Sequence, residues 1–393
     1  NSGTLRVSGG ASLVLEGGWE NQGAVELDEG VLVLGGTFTT ADLNQASMTR
    51  GALTAVQLTG DLDNAGGVLS EIGEITLNGG SITDGTSLVD IRAGTNPGSW
   101  GADVLDGVTL NGDLLLQSDH SQVNVSGGLT LNGTADLSGD AATLRFAGGT
   151  QTLTASPGQT ATVQMGDAES FMAMFYGGQL TLDETVTVEG QGEIGYQGET
   201  IINEGTIHAN GSGETLEISP GTFTNSGTLR VSGGASLVLE GDFQNYGGVE
   251  LAAGGLLNAT SLGASGLELL SGSSLLGDGT VSGSVTNSAG SFAPDAITLN
   301  GDYTQGSAGE LFMGIGGLVQ GLEYDFLDIS GTASLAGSLR LGLEDGFVPL
   351  LVDTFVILEA AGGLSGTFDE LIGLGGSQWN VSYLPTQVVV AFE

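Results

Sequence analysis

The chain has 393 residues, with 72 Gly, 6 Pro and no Cys; the glycines follow no three-residue period, which excludes collagen, and the missing Cys excludes disulfides and thiolate metal sites. Asp and Glu number 46 against 6 Arg and no Lys, a net charge of −40. That balance excludes nucleic acid, which needs a basic surface, and disfavours an anionic membrane.

Apolar residues make up 39% of the chain, enough for a core. No apolar run approaches the 18 or so residues of a membrane-spanning helix. The first segment, NSGTLRVSGGASLVLEG (1–17), recurs without change at 225–241, and GWENQGAVEL (18–27) aligns over DFQNYGGVEL (242–251). Each copy alternates apolar and polar residues: Leu5 and Val7 on one side, Leu13 and Leu15 on one side. Period-two runs of four to six residues between Gly, Asn and Ser predict short strands.

Asn-x-Gly-x-apolar begins at Asn1, Asn21, Asn64, Asn78, Asn203, Asn225 and Asn245, with spacings of 20, 22 and 20 where the copies are adjacent. A second phrase, TLNG, ends at Gly79, Gly112, Gly133 and Gly301. A unit of about 20–22 residues holding three short strands predicts a β-solenoid, each strand pairing with its equivalent in the next coil. Gly and Asn are expected at the corners to supply positive φ, and one Asn per coil is placed to form a side-chain amide ladder.

Between about 98 and 200 the strands persist but the spacing loosens. ESFMAMFYGG (169–178) gathers Phe171, Met172, Met174, Phe175 and Tyr176. It reads either as an exposed sticky patch or, the favoured reading, as a wider coil or lateral loop packed on the core. Near 292 the register changes. SFAPDAITLNGDYTQG leads to longer runs such as GSLRLGLEDG, DTFVILEAAGG and WNVSYLPTQVVVAF, so a boundary is expected at about 295. Residues 1–295 form the predicted parallel β-helix, and 296–393 a β-sandwich-like or flattened-solenoid terminal domain.

IINEGTIHANGSGETLEISPGTFTNSGTLRV, VEGQGEIG (188–195) and LLGDGTVSGSV (275–285) resemble the repeats of secreted bacterial β-helix exoproteins, the autotransporter passengers and filamentous-haemagglutinin-like adhesins. EYDFLDISGTASLAGSLRLGLEDGFVPLLVDTFVILEAAGGLSGTF (323–368) resembles the β-rich module that closes such passengers. The resemblance implies a right-handed parallel β-helix outside the cell or on its surface, and no reaction.

Catalytic material is scarce. His120 and His208 are isolated, the six Arg (6, 50, 92, 145, 230, 340) are scattered, and the local acid pairs Asp103/Asp106, Asp183/Glu184 and Asp325/Asp328 read as solvated surface. GQGEIG (190–195) fits a dinucleotide pattern by letters but sits in a strand repeat without a helix after it. No catalytic, cofactor or metal residue is predicted. Loosely held calcium on acidic faces is compatible with the composition, with no residue to name. Thr-x-Thr occurs at 152–154 and 185–187 without a regular array.

The chain opens inside a repeat, so residues upstream are expected to have been removed or left out. An uncapped start and an apolar last strand, QVVVAF, predict head-to-tail self-association into a filament or surface fibre: an extracellular, non-enzymatic, rod-like structural protein. The alternative is a monomeric adhesin stalk binding glycans or surfaces, with 169–178 as its binding patch. A carbohydrate-active enzyme is the third, and would need carboxylates clustered across adjacent coils.

Overall fold

Alternation decides the architecture. In Thr228–Val231, Leu229 and Val231 are fully buried while Thr228 and Arg230 face out. Leu237 and Leu239 do the same in Ser236–Leu239, and Phe223 in Thr222–Asn225. A strand this short cannot shield its own apolar face, so its equivalent in the next coil must cover it. The computed structural model describes residues 1–51, 54–95, 103–175, 177–263, 266–373 and 379–392. Strand makes up 58% and helix 2%, and the strands stack in parallel as a β-solenoid of about 13 turns. The three-strand coil expected from the 20–22-residue spacing is present: Thr206–Ala209, Thr215–Ile218 and Thr222–Asn225 pair with Thr228–Val231, Ser236–Leu239 and Asp242–Asn245.

Contacts divide the chain into two compact units, Asn1–Ile201 and Ile202–Glu393. In the first, an inward column runs Phe38, Leu62, Ile82, Leu105, Val125, Phe146, Met174 through successive parallel registers. Every member is 2% exposed or less. In the second unit a column runs Ile207, Leu229, Val249, Leu275, Phe292, Leu311, Leu339. Burying each such side chain contributes about 1.5–3 kcal/mol, so these columns are the main stabilising term.

That second column passes through 295 without a break. Residue 295 lies inside the strand Ser291–Asn300, which pairs in parallel with Ser274–Ser282 before it and with Glu310–Ile315 and Phe326–Ile329 after it. The coils thus continue to Glu370–Gly373. After them the strand direction changes. Gln387–Phe392 pairs antiparallel with Thr354–Ala360 on one edge and with Trp379–Tyr383 on the other. The sequence marks QVVVAF as free to pair with another chain; in the structure both its edges are occupied, and Val388 and Val390 are fully buried.

The amide ladder is present. Asn203 Nδ2 donates to Asn225 Oδ1 (2.8 Å), and Asn225 Nδ2 to Asn245 Oδ1 (2.7 Å), all three residues being 0–1% exposed. In the first unit Asn1 Nδ2 donates to Asn21 Oδ1 (2.7 Å). Asn78 does not join a ladder: it is exposed and belongs to a TLNG turn instead. The glycine of the ladder corner has a different cause from the one expected. Gly23, Gly205, Gly227 and Gly247 do not have positive φ. A Cβ at Gly227 would stand 2.1 Å from Gly205 O, and one at Gly247 2.1 Å from Gly227 O, so close approach of one coil to the next demands glycine there. Positive φ is needed at the other corner of the repeat, at Gly9 and Gly10 (63° and 77°) and at Gly233 and Gly234 (68° and 80°).

The repeated seventeen residues form the same strands in both places, Ser12–Leu15 and Ser236–Leu239 among them. Leu237 and Leu239, with a coil on either side, are buried, whereas Leu13 and Leu15, with a neighbour on one side only, are partly exposed. Identical sequence therefore gives identical local structure, and burial comes from the stack.

Longer excursions between coils are tied down by carboxylates. Asp302 Oδ1 accepts from Thr332 N (2.7 Å) and Thr332 Oγ1 (2.9 Å) across a 30-residue separation, and these bonds hold its carboxyl below the usual carboxylate range. Asp302→Ala is expected to lower the unfolding free energy by about 1 kcal/mol, measured by urea titration at pH 7. Because the folded pKa is depressed, the wild-type advantage is present above the ordinary carboxylate pKa and fades as pH falls through the folded one. A variant indistinguishable from wild type at pH 7 would refute the clamp.

Candidate functional site

The FMAMF segment is the strand Phe171–Phe175, and alternation divides it. Met172 and Met174 point inward and are 0–1% exposed. Phe171 and Phe175 point outward and are partly exposed. The methionines pack on the core, as the favoured reading has it, while the two rings stay partly exposed on the opposite face. Tyr176 lies outside the described residues. The neighbouring strand Thr143–Ala147 runs parallel in the register Thr143–Phe171, Arg145–Ala173 and Ala147–Phe175, which sets Arg145 on the outer face between the two rings. Arg145 is only 8% exposed, and its Cζ lies 4.6 Å from the centroid of the Phe175 ring. A guanidinium over an aromatic face is favoured electrostatically.

The next coil does not cover this strand fully. Gly192–Ile194 pairs with Phe171 and Met172 only. The chain then leaves the ladder through Gly195 and Gly198, both with positive φ (91° and 93°), and the loop between them carries Tyr196, which is 62% exposed. Its departure leaves the Met174 N–H without a strand partner. Glu199 Oε2 accepts that N–H at 2.9 Å, standing in for the missing carbonyl. The result is a cleft of about 720 Å³ whose lining includes Arg145, Phe171, Phe175, Tyr196 and Glu199, within the size range of small-molecule sites.

Glu199 is 3% exposed, and its Oε1 has no hydrogen-bond partner. Burial pushes its carboxyl up to about 7 and the nearby negative charge of Glu193 adds to this, against hydrogen bonds from the Met174 and Tyr196 backbone. The cleft therefore combines aromatic faces, one buried cationic donor and one buried acceptor in want of a donor. Alternation in FMAMF was enough to put Phe171 and Phe175 on one face. Arg145, Tyr196 and Glu199 come from two other coils, and only the coil register brings them there.

The acid pairs read from the sequence have structural duties. Asp103 is buried and accepts from Gly79 N (2.7 Å) and Gly94 N (3.1 Å). Asp183 accepts from Thr185 N and Oγ1 (3.1 and 2.6 Å). Asp325 accepts from Gly314 N (2.6 Å). Burial, with the charges of Asp295 and Glu344, raises the Asp325 carboxyl to about 7. Asp295 is raised by burial and by Asp278. The sequence sets Asp325 beside Asp328, but its neighbours Asp295 and Glu344 lie at uneven spacing from it, which hid their meeting. His208 Nε2 lies 2.7 Å from Ser232 Oγ, and His120 occupies a turn with φ 57°. Among the described residues no group of three or more His, Cys, Asp or Glu could hold a metal ion. Threonines stack in single file, Thr86, Thr109, Thr130 and Thr154, through four coils.

Arg230 and Glu250 lie opposite each other in register (4.0 Å), and Arg92–Glu74 (2.9 Å) and Arg340–Glu310 (2.8 Å) bridge adjacent coils. Such exposed pairs contribute little, being screened by solvent and salt. Arg145 differs from them in being buried against an aromatic ring. No protein-family model matches the chain, and no curated protein sequence matches it.

Proposed function

We propose that the protein is a non-enzymatic binding scaffold of a bacterial cell surface or its surroundings, an adhesin-type solenoid stalk that engages its target through the cleft beside Phe171 and Phe175. The observation that carries this reading is the cleft itself: partly exposed rings of Phe171 and Phe175 on a strand of the stack, with Tyr196 exposed on the loop beside them. Exposed aromatics gathered around buried charge mark binding surfaces more than packing. A solenoid wall keeps them fixed with little ordering to be done on contact, which favours affinity. The resemblance of the repeats to secreted exoproteins supports the setting outside the cell. The absence of Cys and the dispersed negative charge are in keeping with it. The filament reading drew on an uncapped start and a free last strand, and of these the last strand is paired on both edges.

Adhesion of the fluorescently labelled full chain to mucin-coated and cellulose-coated surfaces tests the reading. Wild type is expected to be retained on at least one of them. The double variant Phe175→Ala/Tyr196→Ala is expected to lose about tenfold or more in retention, the loss of two stacking contacts. Equal retention of both proteins would place adhesion elsewhere on the molecule and end this reading of the cleft.

A further inference from the structure

Resting on the reading of the cleft as a binding site, we propose that its ligand is a neutral pyranose ring whose neighbouring hydroxyls bridge Arg145 and Glu199, one accepting from the guanidinium and the other donating to Glu199 Oε1. Four observations lead there. The cleft presents the rings of Phe171, Phe175 and Tyr196, and an aromatic face suits the C–H face of a sugar as it suits any apolar surface. Glu199 Oε1 is buried at the cleft wall with no donor, and a buried acceptor left unpaired is costly until a donor reaches it. Arg145 supplies donors only, and its guanidinium is fixed on the Phe175 ring. Finally, the chain carries 46 acids against 6 Arg.

Those four together discriminate among ligand charges. A carboxylate or phosphate ligand would match Arg145 but meet Glu199, Glu193 and the field of the whole molecule. An ammonium ligand would match Glu199 and the rings but meet Arg145. A hydroxyl is donor and acceptor at once, so a vicinal pair satisfies both side chains and adds no charge. Glu199 Oε2 is held by Met174 N, which leaves Oε1 as the remaining acceptor.

Isothermal titration of the full chain at pH 8, with cellobiose, maltose and lactose as probes and with digalacturonic acid and glucosamine for comparison, tests the assignment. At least one neutral disaccharide is expected to bind, more tightly than either charged sugar. Glu199→Gln keeps an acceptor for Met174 N and exchanges the charged acceptor for a neutral amide; it is expected to weaken binding about tenfold, the difference between a hydrogen bond to a charged group and one to a neutral group. Tyr196→Ala, at an exposed loop position that folding does not depend on, is expected to weaken it by a similar factor. Absence of neutral-sugar binding at millimolar concentration, or tighter binding of digalacturonic acid or glucosamine, would overturn the assignment. If the sugars fail while cleft variants still lose surface adhesion, the scaffold reading stands and only the ligand class falls. If a bound disaccharide is cleaved, the sugar site stands and the non-enzymatic reading falls.

Discussion

Replacing Asn225 by Ala is expected to lower the free energy of unfolding by about 4 kcal/mol, one of the two largest single-residue effects foreseen for this chain. Asn225 is fully buried at the middle of the ladder, taking a hydrogen bond from Asn203 Nδ2 at 2.8 Å and giving one to Asn245 Oδ1 at 2.7 Å. The substitution removes both at once. Asn245 Oδ1 then loses its donor in a place that water does not reach. Asn203 Nδ2 falls back on its long contacts with the Gly205 and Thr228 carbonyls at 3.3 and 3.4 Å. Each buried group left short contributes about 1–3 kcal/mol, and the vacated side-chain volume adds to it. Leu in the same place would fill the volume yet leave the same groups unpaired, so it should recover only part of the loss. Asn111, exposed and linked to Asn132 on the outside of the stack, is the control. Water can replace its partner, so Asn111→Ala should shift stability by no more than about 0.5 kcal/mol. Chemical denaturation followed by far-UV circular dichroism distinguishes the two. A small effect at Asn225, equal to that at Asn111, would mean that the ladder results from the fold without holding it.

The same stacking governs which features the sequence discloses and which it conceals. Strand faces are legible wherever a residue's environment is set by its neighbours in sequence, as with Leu229 and Val231 or the buried asparagines. The ladder corner was legible in outline, since Asn recurs at coil spacing. Its glycine was assigned a positive φ because one coil read alone cannot show the carbonyl of the coil beneath it, 2.1 Å from where a Cβ at Gly227 would stand. FVPLLV (347–352) is apolar enough to be read as core, yet Val348, Leu350, Leu351 and Val352 are 66–86% exposed on an excursion between coils. The same limit hid the cleft. Arg145, Phe175 and Glu199 lie 30 and 24 positions apart in the one stretch where coil length is irregular, so no fixed period predicts their meeting. Irregularity is itself informative: the ladder is open where the coil departs from its period, and an open ladder leaves backbone groups for side chains to satisfy.

Glu199→Gln is expected to change how stability depends on pH by about 3 kcal/mol. The Glu199 carboxyl has its pKa raised by burial from an ordinary 4.5 to about 7 in the folded chain. Between those values the folded state holds a proton that the unfolded state has released. Unfolding free energy must then fall as pH rises from 4.5 to 7, and level off above the folded pKa, where both states are ionised. Gln cannot titrate, so the variant lacks this component. The stability of Glu199→Gln relative to wild type should climb by about 3 kcal/mol between pH 4 and pH 8, whatever the constant offset from its buried amide. Asp325, also raised to about 7, titrates in both proteins and cancels in the difference. Denaturant titrations at four pH values across that range decide the matter. A flat difference would show that Glu199 is ionised at ordinary pH, with its Oε1 already satisfied. A rising one shows a carboxylate kept where the fold is better off without its charge. Such an arrangement persists when the charge serves something other than stability, and a hydroxyl donated to Oε1 would stabilise the ionised form, so a bound sugar should move the wild-type curve toward that of the variant.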